Sequence, residues 1–294
     1  MRKRHALAGL VVALPFLAGT ASGSPSGPEG AEAFRFSDPE IVESSGLAFV
    51  PDPQGGLVVT TNDSGDSGRI FTVDARTGAT VGVTSWPSEP VDVEALAPAG
   101  PGHVWVGDTG DNQGVRDSVE VLRVPFGRRD VAATPTAYEL VYPDGPRDAE
   151  ALVRHPLTGQ LFVITKGVFA GTVYAAPLRL RADRPNRLVE VGEAPGIVTD
   201  ATFLPGGGGV VMRTYSAAYV AEFPSWQSVS SWDLPAQDQG EGVAVAGDAL
   251  LLSTEGSRSR VLSVPLPPEA RAIDLRGPAW TALRWLATSR GVPL

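Results

Sequence analysis

The chain has 294 residues, 43% of them hydrophobic, with 34 Gly and 26 Pro spread along it; it can bury a sizeable core, which excludes disorder throughout, and the glycine and proline density argues against long helices. Its formal net charge of −9 speaks against nucleic acid and anionic membrane as partners. Cysteine is absent and there are three histidines, so disulfides, thiolate chemistry, zinc–thiolate sites and a histidine-rich metal centre are all excluded.

At the N-terminus, Arg2, Lys3 and Arg4 precede an apolar run from Ala6 to Ala18 and the small residues Gly19-Thr20-Ala21. This reads as a signal peptide over residues 1–21, cleaved near Ala21, which predicts a secreted or extracytoplasmic protein. The run is too short for a membrane span, and no Cys follows it for a lipid anchor. Cleavage would remove three of the 24 basic residues and no acid, taking the net charge to −12. Residues 22–32 read as a flexible lead-in.

From Ser45 onward one pattern recurs five times: a polar residue, a small residue, then an apolar run. The copies are Ser45-Gly46-Leu47-Ala48-Phe49-Val50-Pro51, Glu94-Ala95-Leu96-Ala97-Pro98, Glu150-Ala151-Leu152-Val153, Thr199-Asp200-Ala201-Thr202-Phe203-Leu204-Pro205 and Glu241-Gly242-Val243-Ala244-Val245. Their starts are 49, 56, 49 and 42 residues apart, room for four short strands and their turns in each interval. Second strands are expected at 57–61, 104–106, 161–165, 210–214 and 250–254. Third strands are expected at 69–73, 119–124, 173–177, 218–223 and 261–264. Fourth strands are weaker, with 138–142 and 187–191 the clearest.

Four strands at this period predict an all-β, five-bladed β-propeller over residues 33–277. Six blades is the runner-up. A two-sheet sandwich does not account for five matched copies. Either Phe34-Arg35-Phe36 or the segment 272–275 is expected to supply the strand that closes the ring. Residues 278–294, with Trp280, Leu283, Trp285 and Leu286, read as a short amphipathic helix packed on the propeller.

Five inner strands converge on one axis, so Ser45, Glu94, Glu150, Thr199 and Glu241 are expected to face one another at one mouth of the channel. Three carboxylates so placed repel, and either raised pKa values or a cation relieves them. An all-oxygen shell suits Ca2+ better than Zn2+. The alternative is a water-filled polar channel. One polar residue per inner strand, in this order around five blades, resembles the calcium-activated nucleotidase (apyrase) family, and the resemblance implies a single axial Ca2+. Glu43-Ser44-Ser45-Gly46-Leu47 is similar to the opening of the SdiA-regulated and phytase-like propeller families. The match stops at the inner-strand motifs and blade spacing, and the basic and aromatic nucleotide-binding segments of the apyrases are missing.

The second-strand ends place Asp63, Asp108, Lys166, Arg213, Tyr215 and Glu255 on the same face as candidate ligand-binding residues. Asp63-Ser64-Gly65-Asp66-Ser67 and Asp108-Thr109-Gly110-Asp111-Asn112 are near copies. They read either as rim loops for a cation or hydroxyl-bearing ligand, or as Asp/Gly turns capping backbone N–H groups. Lys166 is the only lysine beyond Lys3; with Arg213 it suits a small anionic ligand, or else balances the surrounding acids. His103 reads as structural, and His155 as an exposed turn residue.

Three functions follow as expectations. The first is a monomeric secreted propeller with an axial Ca2+, binding a small anion or extracellular partner through the channel mouth. The second is a Ca2+-dependent hydrolase of phosphate esters or anhydrides, and the third is a metal-dependent lactonase or esterase resembling gluconolactonase-like propellers. The sequence assigns no catalytic residue.

Overall fold

The structure is a computed structural model and describes residues 30–63, 65–275, 277 and 279. The segment read as a signal peptide, most of the segment read as a lead-in and most of the expected C-terminal tail lie outside the described residues. Among the described residues, twenty-two strands form five sheets, followed by one short helix. The first sheet holds β2 (Leu47–Val50), β3 (Leu57–Thr60), β4 (Arg69–Asp74), β5 (Thr80–Ser85) and β9 (Val131–Ala132). In the second are β6 (Val93–Pro98), β7 (His103–Asp108), β8 (Val119–Pro125), β10 (Thr136–Val141) and β14 (Asn186–Arg187). The third is built from β11 (Ala149–Arg154), β12 (Leu161–Thr165), β13 (Ala170–Ala175) and β15 (Val189–Pro195), and the fourth from β16 (Asp200–Phe203), β17 (Gly209–Arg213), β18 (Ala217–Glu222) and β19 (Gln227–Asp233). The fifth sheet combines β20 (Gly240–Ala246), β21 (Ala249–Thr254) and β22 (Arg260–Pro265) with β1 (Ala31–Arg35) from the start of the propeller.

These sheets are the five blades of a propeller. Inner strands β2, β6, β11, β16 and β20 touch in that order, and β20 returns to β2. Of the two candidates for closure, the N-terminal one is correct: β1 pairs antiparallel with β22, Phe34 opposite Val261. The strand begins at Ala31, so the end of the segment read as lead-in is ordered. The other candidate lies largely in α1 (Pro268–Asp274), so helix starts ten residues before the expected tail. No helix among the described residues is long and apolar enough to cross a membrane.

The two innermost strands of each blade are largely buried on both faces, and this explains their near-continuous apolar sequences. In β12, Leu161 and Val163 pack toward the second blade, while Phe162 and Ile164 pack toward the fourth. Five apolar clusters fill the five blade junctions. Two short parallel strands cross junctions: β9 pairs with β5 and β14 with β10. Each covers an outer edge of the preceding blade, which blunts a template for unwanted pairing.

Candidate functional site at the channel mouth

Three of the five inner strands carry a β-bulge, and each falls on an acidic residue of the predicted ring. The register shifts between Val93 and Ala95, between Ala149 and Ala151, and between Gly240 and Val243. The extra residues are Glu94, Glu150 and, with Gly242, Glu241. A bulge breaks the alternation of side chains and re-aims one of them. Ser45 and Thr199 sit just before β2 and β16, which are regular. All five ring residues are buried.

The second strands supply an outer ring. Pairing sets Leu47 opposite Thr60, Leu96 opposite Val106, Leu152 opposite Val163, Ala201 opposite Met212 and Val243 opposite Leu252. Three residues beyond each second-strand partner stand Asp63, Thr109, Lys166, Tyr215 and Glu255. Four of the six residues expected from second-strand ends therefore share one structural position. Thr109, the fifth member, was not singled out from the sequence; its hydroxyl donates to the Ala149 carbonyl at 2.8 Å.

Asp108 and Arg213 fall at other positions. The Asp108 carboxylate accepts the Val91 and Asp92 N–H groups at 2.8 and 3.0 Å and pairs with Arg116 at 2.8 Å. It thus fixes the backbone that carries Asp92. Asn62 does the same in the first blade, accepting from Val42 and Glu43. The two near-copy loops are therefore offset by one residue: Asn62, rather than Asp63, matches Asp108. Asp66 and Asp111 cap backbone N–H groups, as expected of Asp/Gly turns.

Arg213 is fully buried. Its guanidinium donates to the Gly242 and Ser253 carbonyls at 2.6 and 2.8 Å and to Gln237 Oε1 at 2.6 Å, tying the fourth blade to the fifth. Asp200, also fully buried, accepts from the Ala201 and Val243 N–H groups, both at 2.7 Å. Burial pushes its carboxyl up, against the backbone N–H groups of Val243, Ala201 and Leu47 that favour its charge. His155 is buried too: it lies in the expected turn, but its ring packs on Phe203 and Phe223.

The mouth is electrostatically divided. On the side of the first two blades, one oxygen from each of Asp63, Asp92 and Glu94 lies within 4.8 Å of the others; among the described residues no other cluster of three or more acidic or histidine side chains meets that spacing. Ser45 Oγ donates to Glu94 Oε2 at 2.8 Å. A Cβ on Gly110 would overlap the Asp92 carboxylate and lie 2.9 Å from Glu94 Cγ, so a glycine is needed there. Across the mouth, Lys166 Nζ meets Glu150 Oε1 at 2.8 Å and lies 5.7 Å from the centre of the Tyr215 ring. Thr199 Oγ1 donates to the Glu241 carbonyl at 3.0 Å, and Glu255 accepts from Gln239 at 2.6 Å. Glu241 Oε2 is buried without a hydrogen-bond partner among the described residues.

The acids respond to burial and to one another. Burial, then Asp63 and Asp148, pushes Asp92 up to about 6. Burial, then Glu150 and Asp63, pushes Glu94 up further. Glu241 is pushed up to about 8 by burial and by Glu150. Glu150 is also raised by burial, with Lys166 opposing. Burial acts to lower Lys166, but the Glu150 charge outweighs it and the ammonium is held firmly charged. A carboxyl raised in the folded state makes that state bind more protons than the unfolded chain. The metal-free protein should therefore hold the resulting stability in full only below about pH 4, where the carboxyls are protonated in both states, and lose it as pH rises toward 8. Thermal melts in EDTA across that range check this, and a flat or rising profile would refute it.

No family model matches the chain, and no curated protein matches its sequence. Among solved structures, it is similar in fold to selenomethionine-substituted virginiamycin B lyase from Staphylococcus aureus: TM-score 0.40, 11% sequence identity, covering 75% of this chain and 67% of that one.

Proposed function

We propose that the protein is a divalent-cation-binding β-propeller that holds Ca2+ at the acidic side of the channel mouth and takes an anionic ligand there. The carrying observation is the approach of Asp63, Asp92 and Glu94 oxygens to within 4.8 Å of one another. That is the widest separation one ion spans with ligands at about 2.4 Å. Ser45 Oγ adjoins the group, and Gly110 leaves it room. The donors are all hard oxygens, which suit Ca2+. The reading places the ion toward the first two blades, rather than on the axis with all five ring residues as ligands. Lys166 supplies a positive charge on the far side.

The test is calorimetric titration with Ca2+, together with melting curves in Ca2+ and in EDTA. A ligand that binds only the folded state stabilises it by about 2.7 kcal/mol at a hundredfold excess over Kd. One ion per chain and a higher Tm in Ca2+ are expected; identical melts and no heat would leave a wet channel. Gly110→Ala should weaken Ca2+ binding by roughly tenfold or more, although it removes no ligand, because its Cβ displaces two carboxylates. Unchanged affinity in that variant would move the ion elsewhere.

A second reading, hydrolysis of a phosphate ester or anhydride, is favoured by the Lys166–Glu150 pair. It sets a fixed cation beside a carboxylate lifted toward neutrality, where a general base works best. Turnover on a phosphoester panel that disappears in EDTA would support it.

A further inference from the structure

The acids crowd one mouth of the channel, and the opposite mouth has the reverse character. There the far ends of the inner strands and the turns after them enclose a cavity of about 660 Å³. All five blades contribute to its wall, with Phe49, Leu96, Leu152 and Phe203 among the lining residues. The size falls within the range of small-molecule pockets. The wall contains one charged residue, Arg154, at the end of β11.

Arg154 is half-buried, and among the described residues its guanidinium has neither an ion pair nor a hydrogen bond. Burial pulls its pKa down, and Arg123 nearby adds repulsion. In a chain with 33 acidic residues, a guanidinium held between an apolar wall and a like charge lacks the carboxylate that its geometry suits. A guanidinium binds a carboxylate through two parallel N–H bonds, and weak hydration lets it do so beside apolar surface. Covering the wall with its own aliphatic stem would account for the position of Arg154, but not for the missing counter-charge.

We propose that this cavity is a second binding site, for a small amphipathic carboxylate whose apolar body lies against the inner-strand ends and whose head group pairs with Arg154. The site shares no residue with the acidic mouth and needs no cation.

The experiment uses the purified chain in EDTA, with anilinonaphthalene sulfonate as a fluorescent reporter displaced by decanoate or by decanol. Decanoate should displace the dye at one site per chain, and decanol at least tenfold more weakly. Arg154→Met should remove that preference by weakening decanoate and leaving decanol unchanged, and Arg154→Lys should restore part of it. Thr202→Trp, which fills the cavity from a half-buried wall position, should abolish both, with circular dichroism confirming that the variant is folded. Equal affinity for acid and alcohol, an unaltered preference in Arg154→Met, or no displaceable dye would each overturn the proposal. Ca2+ affinity measured on the same variants should be unchanged, so failure here is separable from failure of the cation site.

Discussion

Arg213→Met is expected to destabilise the propeller by about 3–5 kcal/mol, the usual cost of breaking a buried charged network. Methionine fits the space but donates nothing. It leaves the Gly242 and Ser253 carbonyls and Gln237 Oε1 without their donor inside the protein, and each stranded acceptor costs about 1–3 kcal/mol. It also removes the positive charge whose field favours the ionised forms of Glu241 and Asp200. In a domain of this size the loss should appear as a Tm lower by roughly 10 °C. Arg213→Lys should recover only part of it, since an ammonium cannot reproduce the planar fork. A Tm within about 2 °C of the parent would show that the fourth and fifth blades are held together by the surrounding apolar cluster alone.

Arg213 also shows where reading the sequence stops. It ends a second strand, as Lys166 nearly does, and counting strand ends put both at the mouth. The register separates them: Arg213 is one residue past Met212, whereas Lys166 is three past Val163, the equivalent of Met212. Side-chain direction depends on that count, and one sequence does not reveal pairing. The inner strands were legible because a polar residue breaks into an apolar run five times at similar intervals. The bulges that aim Glu94, Glu150 and Glu241 leave no such mark. Fourth strands were faint for a different reason. In β19 the pattern Gln227-Ser228-Val229-Ser230-Ser231-Trp232-Asp233 is mostly exposed, because an outermost strand has one hydrogen-bonded neighbour and a solvated face. Strand β1 is set apart from its blade by the whole propeller sequence, so the sequence leaves two candidates for the closing strand and the pairing with β22 decides between them.

Glu94→Gln is expected to have opposite effects with and without Ca2+. The amide keeps the shape of the side chain and removes one charge from the closest acidic group in the mouth. Fewer charged ligands mean weaker binding, and Ca2+ affinity should fall by at least roughly tenfold. In EDTA the same substitution removes a carboxyl that burial, Glu150 and Asp63 all oppose ionising, so Tm at pH 8 should hold or rise. The sign follows from linkage. The folded-state pKa of Glu94 is raised, so ionising it above its ordinary range costs stability in the native state, and a permanently neutral amide escapes that cost. Glu150→Gln provides the contrast. It deprives Lys166 of the carboxylate 2.8 Å away and leaves a largely buried ammonium unpaired, so it should destabilise with and without Ca2+. Melting curves of the two variants in Ca2+ and in EDTA separate the possibilities. If Glu94→Gln shifts Tm in the same direction in both, the acidic group is a solvated part of the channel wall and holds no ion.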